Sequence, residues 1–256
     1  MTATQHCRKL TLRGRSGHVL SRASGDGNGL VALGGASLVQ PWRDPGLHLH
    51  TGCEEYYLVL QGELQLLVVD RWLTLQPREL LLVRPGVAHA VVGGQGIIEH
   101  IGVRAPDLDD KRPLGDIPDP LPAPLDESER EVRAGWGCRV PLTEDRNRNC
   151  WLFGRGMARF RSQYLTFAYL DFPTPEMANA GLGTRHRPHL HQRSWEYYAV
   201  LRGSKLLRVE NQLVTVQAGE VLEVPPGLCH VLHERQAPLE GFTFRVPVDL
   251  DDKVEC

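Results

Sequence analysis

The stretch His189-Leu-His-Gln-Arg-Ser-Trp-Glu196 repeats, with substitutions, the earlier stretch His48-Leu-His-Thr-Gly-Cys-Glu-Glu55. The offset of 141 residues also aligns His89 with His230 without a gap. From position 48 to position 89, 19 of 42 residues are identical to their partners, where chance would give only a few. The 256-residue chain is therefore predicted to contain two copies of one unit.

The ends of the copies indicate the domain boundaries. Asp-Leu-Asp-Asp-Lys at residues 107–111 recurs at residues 249–253, and both acidic segments are expected to be exposed. This predicts a first domain over residues 1–111 and a second over 136–256. The intervening residues 112–135 contain five prolines, which is typical of an extended linker. Ser128 and Glu131 resemble a capping box, which favours a short helix there.

Short apolar runs separated by turn residues predict strands within each copy. Examples are residues 56–60, 64–69, 72–75, 80–83 and 88–92. The pairs Asp70-Arg71 and Asn211-Gln212 lie where hairpin turns are expected. Neither copy shows a long helical period, so the fold class is predicted to be all-β, with two small barrels in tandem.

Composition excludes several classes of partner. The 29 basic and 31 acidic residues give a net charge of −2, which argues against nucleic acid or an anionic membrane as a partner. No apolar run is long enough to span a membrane, and the polar N-terminus lacks the apolar core of a secretory signal. The six cysteines form no Cys-x-x-Cys pair, so we expect reduced thiols and a cytoplasmic location.

Each copy carries three histidines and one glutamate at identical spacing. Two histidines separated by one residue point the same way in a strand, so both rings can reach one point. Three imidazoles and a carboxylate are suitable ligands for a divalent first-row metal, and Fe(II) is favoured over Mn(II), Ni(II), Co(II), Cu(II) or Zn(II). We expect such a metal in both domains. The predicted ligands are His48, His50, Glu55 and His89 in the first copy, and His189, His191, Glu196 and His230 in the second.

These residues resemble the cupin superfamily. The first cupin motif is similar to His48-x-His50-x4-Glu55-x6-Gly62 and to His189-x-His191-x4-Glu196-x6-Gly203. The second is similar to Gly219-x5-Pro225-x-Gly227-x2-His230 and, less completely, to Pro85-Gly86-x2-His89, where Arg84 replaces a proline. The resemblance implies a bicupin, with two jelly-roll barrels that each hold a metal centre of three histidines and one glutamate. It does not select a reaction.

Differences between the copies point to the second domain as the catalytic one. If the segment before His189 is extended, Arg185 and Arg187 face the same side as the metal ligands and bind an anionic substrate, with Arg187 the better candidate. The alternative is that both arginines lie on a solvated rim. Tyr57 and Tyr198 share strand parity with the two glutamates and are candidate catalytic acids. A packing role in the barrel core is the alternative for both tyrosines.

The favoured function is an Fe(II) dioxygenase acting on a small, carboxylate-bearing metabolite. The alternatives are a redox-neutral isomerase, decarboxylase or lyase that uses the metal as a Lewis acid, and a non-catalytic binding or storage protein. A small-molecule substrate is the expected partner, and the two barrels are expected to form either a monomeric pseudo-dimer or a homodimer.

Overall fold

The computed structural model describes residues 7–12, 17–22, 25, 27–38, 43–125, 131–132, 137–142, 150–154, 160–180, 182, 186–248 and 251–256. The chain divides into two compact units. One comprises Arg13–Glu144 and is called the N-terminal barrel; the other comprises Met1–Leu12 with Asp145–Cys256 and is called the C-terminal barrel. The regular structure described is almost entirely β, which confirms the predicted all-β, tandem jelly-roll fold.

Twenty strands and one helix are described, numbered along the chain. The first eleven strands are β1 Arg8–Thr11, β2 Gly17–Leu20, β3 Ala32–Leu38, β4 Leu47–His50, β5 Glu54–Val68, β6 Arg71–Leu75, β7 Glu79–Val83, β8 His89–Ala105, β9 Lys111–Gly115, β10 Glu131–Val132 and β11 Gly137–Pro141. The others are β12 Cys150–Gly154, β13 Phe160–Arg161, β14 Thr166–Phe172, β15 His189–His191, β16 Trp195–Val209, β17 Gln212–Gln217, β18 Glu220–Val224, β19 His230–Val246 and β20 Lys253–Glu255. Helix α1 is Pro175–Asn179, capped by Thr174. Within the described residues no helix is long and apolar enough to cross a membrane.

Each barrel is built around two long antiparallel strands. In the N-terminal barrel the sheet order is β10-β11-β7-β5-β8-β3-β2, with β4 joined to β8 and β9, and β6 joined to β5. In the C-terminal barrel the order is β1-β18-β16-β19-β14-β12-β13, with β15 joined to β19 and β20, and β17 joined to β16. The equivalent strands β4 and β15 therefore lie beside β8 and β19, whose first residues are the third histidines of the two copies.

Each unit takes one edge strand from the other half of the sequence. Strand β1 pairs with β18, supported by the 2.7 Å ion pair between Arg8 and Glu223. Strand β11 pairs with β7, so that Cys138 lies opposite Leu82. The division thus differs from the expected boundaries at residues 111 and 136, because pairing covers the otherwise open edges of β7 and β18.

The proline-rich segment packs on the N-terminal barrel where it is described. Its first residues belong to β9, which pairs with β4. Farther along, the amide of Leu125 donates to the carbonyl of Trp72 over 2.7 Å, and the Leu125 side chain is buried in the barrel core. Residues 126–130 of the expected short helix lie outside the described residues, and Glu131 belongs to strand β10 instead.

A bulge bends the long strand that follows each glutamate. At Gly62 (φ 68°) and Gly203 (φ 76°) the backbone takes a left-handed conformation, and a Cβ at Gly203 would lie only 2.3 Å from the Gln236 carbonyl oxygen. The runs predicted as separate strands at residues 56–60 and 64–69 are therefore one bent strand, β5. The hairpin turns fall at Val69-Asp70 and Glu210-Asn211, one residue earlier than expected.

One pair of cysteines differs from the expected reduced state. Cys229 and Cys256 form a disulfide that attaches the last residue of the chain to the residue before His230. The prediction of reduced thiols is therefore wrong for this pair. Cys7 and Cys53 are free thiols.

Candidate metal centres

The N-terminal barrel brings its four predicted ligands to one point. His48 and His50 alternate along β4, Glu55 lies near the start of β5, and His89 begins β8. The Oε2 atom of Glu55 lies 2.8 Å from Nε2 of His89 and 3.3 Å from Nε2 of His50. One donor atom from each of the four residues lies within 4.8 Å of all the others.

The C-terminal barrel repeats this arrangement on β15, β16 and β19. The Oε2 atom of Glu196 lies 2.8 Å from Nε2 of His230, 3.2 Å from Nε2 of His191 and 3.8 Å from Nε2 of His189. All four side chains are buried. Ligands about 2.1 Å from one ion lie roughly 3 Å apart when their bonds are perpendicular, so these separations suit a shared metal.

Hydrogen bonds at the opposite ring nitrogens orient the imidazoles. Nδ1 of His50 donates to Asp110 over 2.8 Å, and Nδ1 of His191 donates to Asp252 over 2.9 Å. Backbone carbonyls accept from Nδ1 in three further rings, each over 2.9 Å: those of Val87 for His89, Arg187 for His189, and Leu228 for His230. A proton held on Nδ1 leaves the Nε2 lone pair facing the cluster, which is the arrangement a metal ligand requires.

His48 is the exception in this set. Its buried Nδ1 has no hydrogen-bond partner within the described residues and lies 3.9 Å from the carboxylate of Asp44. Burial, followed by the charge of His89, lowers the pKa of His48 to about 4. A neutral imidazole is the form that binds a metal.

The two glutamates stay ionised despite burial. Burial alone would raise the pKa of Glu196, but hydrogen bonds from the three surrounding histidines outweigh it and hold the pKa well below its usual value. In the N-terminal barrel, burial likewise raises the pKa of Glu55, but hydrogen bonds from His50 and His89 outweigh it and hold the pKa well below its usual value. Each cluster therefore presents one carboxylate and three imidazoles, which fits a divalent first-row metal.

The aspartates that orient His50 and His191 come from the repeated acidic segments. Both were expected to be exposed, yet Asp110 is 7% and Asp252 is 0% exposed. Asp110 also accepts from the amides of Gly52 and Cys53, and Asp252 from the amide of Ser194. The retention of these segments in both copies was the signal that could have revealed this role.

The C-terminal barrel contains a cavity of about 400 Å³ beside its cluster. His189, His191 and Glu196 line it, together with the apolar side chains of Leu170, Phe172 and Leu232. Four cationic side chains, Lys205, Arg235, Arg245 and Lys253, also line it, whereas Glu196 is the one carboxylate among its described lining residues. The sequence reasoning missed these cations and His186, which lies 3.2 Å from Arg235.

The two predicted tyrosines lie beside their clusters. The ring centroid of Tyr198 lies 6.0 Å from that of His230, and Tyr198 lines the cavity. In the N-terminal barrel, Tyr57 and His89 are 6.2 Å apart in the same T-shaped arrangement. Burial, followed by the charge of the adjacent glutamate, raises the pKa of both Tyr57 and Tyr198 well above the usual value, so both hydroxyls stay protonated.

The predicted substrate ligand Arg187 lies away from the site. Arg187 points into solvent, with 67% of its side chain exposed, and its guanidinium lies 3.6 Å from Glu255. The reason is that β15 begins at His189, so strand alternation does not extend back to Arg187. Arg185 lies outside the described residues. The guanidinium of Arg84, which replaces a proline of the second motif, lies 3.7 Å from the carboxylate of the buried Glu54.

Comparisons with known proteins agree with this geometry. The Cupin domain model matches residues 37–95 and 180–240, one region in each copy. No curated protein sequence matches the chain significantly.

Three solved structures illustrate the fold. Protein Ylba from E. coli shares 13% identity, with a TM-score of 0.57 over 98% of this chain and 85% of that one. Bacillus subtilis oxalate decarboxylase shares 15% identity, with a TM-score of 0.55 over 100% of this chain and 80% of that one. Salicylate 1,2-dioxygenase from Pseudoaminobacter salicylatoxidans shares 13% identity, with a TM-score of 0.55 over 86% and 70%. With two matched domains, two jelly-roll barrels and two clusters of three histidines and one glutamate, the chain belongs to the cupin superfamily and is a bicupin.

Proposed function

We propose that this bicupin is a metal-dependent enzyme that converts a small, carboxylate-bearing metabolite in its C-terminal barrel, with Fe(II)-dependent dioxygenation as the favoured reaction. The cavity beside the C-terminal cluster carries the proposal, because its lining combines metal-binding side chains with four cations. A pocket of this charge attracts an anion and repels a cation. Its volume of about 400 Å³ suits a small molecule.

The metal would be a divalent transition ion in each cluster, with Fe(II) favoured over Mn(II), Ni(II), Co(II), Cu(II) or Zn(II). Such an ion supplies Lewis acidity toward a substrate oxygen and, with four protein ligands, open positions for substrate and O2. Support comes from the donor sets and from two enzymes of similar fold: the oxalate decarboxylase, whose centres contain Mn(II), and the salicylate dioxygenase.

The chain's own groups position and polarise the substrate. The cations of the cavity neutralise its negative charge, and Leu170, Phe172 and Leu232 exclude water from one wall. Tyr198, protonated and adjacent to Glu196, is the candidate hydrogen-bond donor and acid, and Tyr57 is its counterpart in the N-terminal barrel. Arg187 and Arg185 are not included in this proposal.

A redox-neutral isomerase, decarboxylase or lyase is the second candidate, favoured by one observation. Burial, followed by the charge of Arg235, lowers the pKa of Lys205 to about 7, and Lys205 lines the cavity. A group that titrates near neutral pH is suited to move a proton in either direction.

Oxygen dependence separates the two candidates. The purified protein is stripped of metal, reloaded with Fe(II) or Mn(II), and screened against small carboxylic acids with an oxygen electrode and by mass spectrometry of the products. Oxygen consumption that depends on Fe(II) and on substrate supports the dioxygenase. Turnover that persists without O2 supports the redox-neutral enzyme. Ligand binding without turnover, unchanged after chelation, identifies a binding or storage protein.

The proposed setting is the cytoplasm, with a small molecule as partner and without nucleic acid or membrane. The net charge of −2 supports the absence of a polyanionic partner. The Cys229–Cys256 disulfide is instead typical of oxidising compartments, so mass spectrometry of alkylated protein from its native cells tests the location. Sedimentation distinguishes a monomeric pseudo-dimer from a homodimer.

A further inference from the structure

We propose that Lys205 and Arg235 form a carboxylate-binding subsite inside the C-terminal barrel, and that the cavity is built for a dicarboxylate. One carboxylate group would bind these two cations while the other end of the molecule faces the histidine and glutamate cluster. Only the placement of this other end beside the metal ligands rests on the proposed function.

Lys205 is a buried cation without a protein partner among the described residues. It is 1% exposed, and its Nζ makes no hydrogen bond. The Nζ atom lies 5.5 Å from the centroid of the Tyr198 ring, and both side chains line the cavity. An isolated ammonium group in a protein interior is costly unless an anion pairs with it.

Arg235 is a second buried cation, on the strand adjacent to that of Lys205. It is the register partner of Lys205 on β19 and is 3% exposed. Like charges opposite each other in a sheet are destabilising. The two charges therefore destabilise the free protein, and an anion bound between them would remove this repulsion.

The remaining donors fit a carboxylate. Two nitrogens of Arg235 are occupied: Nη1 donates to the Ala178 carbonyl over 2.7 Å, and Nη2 donates to Nε2 of His186 over 3.2 Å. The buried Nε of Arg235 has no partner within the described residues, as for Nζ of Lys205. These two unpartnered nitrogens can each donate to one of the two oxygens of a carboxylate.

The N-terminal barrel lacks both charges at the equivalent positions. Leu64 stands in place of Lys205 and Gly94 in place of Arg235, and they are likewise register partners. A Cβ at Gly94 would lie 2.3 Å from both Ile98 Cδ1 and the Glu63 carbonyl oxygen, so no larger side chain fits there. Leu64 belongs to an apolar core cluster. The subsite is thus a property of the C-terminal barrel alone.

The cluster and the subsite both lie beside the Tyr198 ring and both contribute side chains to one cavity. The Tyr198 ring is 5.5 Å from Nζ of Lys205 and 6.0 Å, between centroids, from the ring of His230. A short diacid can therefore present one carboxylate to the cations and the other to the metal ligands. A monocarboxylate can satisfy only one of these two sites.

The test compares acids that differ in one carboxylate. Malonate, succinate and glutarate are titrated calorimetrically against the Mn(II)-loaded and the metal-free protein, alongside propionate, butyrate and valerate. At least one diacid is expected to bind the wild type at least about 10-fold more tightly than its monoacid of equal length. The Lys205→Met variant should lose at least about 10-fold of that affinity, whereas Arg208→Met, an exposed cation on the same strand, should lose none.

Melting temperatures test the same subsite when the diacids bind too weakly for calorimetry. Without ligand, Lys205→Met should melt at a higher temperature than the wild type, because it removes an unpaired buried charge. The preferred diacid should raise the melting temperature of the wild type and of Arg208→Met but not of Lys205→Met.

Three results would overturn the subsite. They are equal affinity for every diacid and its monoacid, diacid affinity unchanged in Lys205→Met, and tighter binding of 3-phosphonopropionate than of succinate. Metal-dependent turnover of a substrate whose KM is unchanged in Lys205→Met would retain the proposed function and reject the subsite. Diacid binding that requires Lys205, in a protein without metal-dependent turnover, would do the reverse.

Discussion

Asp252 accepts a hydrogen bond from Nδ1 of His191 over 2.9 Å, and so connects the last segment of the chain to the C-terminal cluster. Asp110 and His50 form the equivalent contact over 2.8 Å in the N-terminal barrel. Both aspartates lie next to a lysine that begins a short strand, β20 or β9, paired with the strand of the histidines. The aspartate therefore fixes the ring orientation while the strand fixes the backbone.

Replacing Asp252 with Asn should weaken metal binding in the C-terminal barrel by about 10- to 100-fold, because the imidazole loses its charged acceptor. Titration with Mn(II), followed by electron paramagnetic resonance, measures the affinity of each centre. Asp110→Asn should weaken the other centre equally. Asp251→Asn, at the exposed neighbouring position, should change neither, and an unaltered affinity in Asp252→Asn would refute the orienting role.

Glu196→Gln and Glu55→Gln should each lower the expected metal content from two ions per chain to one, because the amide lacks the negative charge of the ligand. Elemental analysis gives the stoichiometry. Turnover should disappear in Glu196→Gln and remain in Glu55→Gln, since the cavity lies in the C-terminal barrel. Glu234→Gln, at an exposed position, is the matched control. Loss of turnover only in Glu55→Gln would move the active site to the N-terminal barrel.

Stability should rise with pH through the titration of Lys205. Burial, followed by Arg235, lowers the pKa of Lys205 in the folded protein to about 7, against about 10.5 for an ordinary lysine. Below pH 7 both states are protonated; above it only the unfolded state retains the proton, so folding is favoured as the pH increases. The contribution to the unfolding free energy is at most about 1.4 kcal/mol per pH unit.

Denaturant unfolding of the metal-free wild type and of Lys205→Met, between pH 6 and pH 9, isolates this contribution. The stability deficit of the wild type relative to the variant should shrink as the pH increases. A difference that stays constant across this range would mean that Lys205 titrates at its ordinary pKa.

Cys256→Ser should reduce the unfolding free energy by about 3 kcal/mol, because the bond between Cys229 and Cys256 closes a loop with a sequence separation of 27. The variant should also weaken metal binding in the C-terminal barrel, since β20 and Asp252 lose one anchor. Cys7→Ser, in the same unit but outside the bond, is the control. Equal stability of Cys256→Ser and wild type would show that the bond is absent in solution.

Duplication made the ligands predictable from the sequence. His48 and His189 carry the same role with the same spacing to their partners, so each copy checks the other. The fold class was predictable from the short apolar runs that turn residues separate in each copy. Arg187 was assigned to the site by strand alternation, but the strand begins two residues later, and alternation holds only within a strand.

Lys205 could not be placed by counting from Glu196. The two are separated by an odd number of positions, which in a regular strand would put them on opposite faces. The register shifts between Val200 and Ser204, where Gly203 has a positive φ, break this alternation, and Lys205 lies in the interior. Comparing the copies would have indicated Lys205, because its counterpart Leu64 is a core residue.

The exchange of β1 and β11 means that this protein cannot be cut into two self-sufficient halves at the point where its sequence repeats. A fragment ending at residue 111 would leave β7 without its partner β11, and one beginning at residue 136 would leave β18 without β1. Such open edges favour aggregation. Each copy of the repeated unit is therefore expected to remain soluble only when the strand from the other half of the sequence is present.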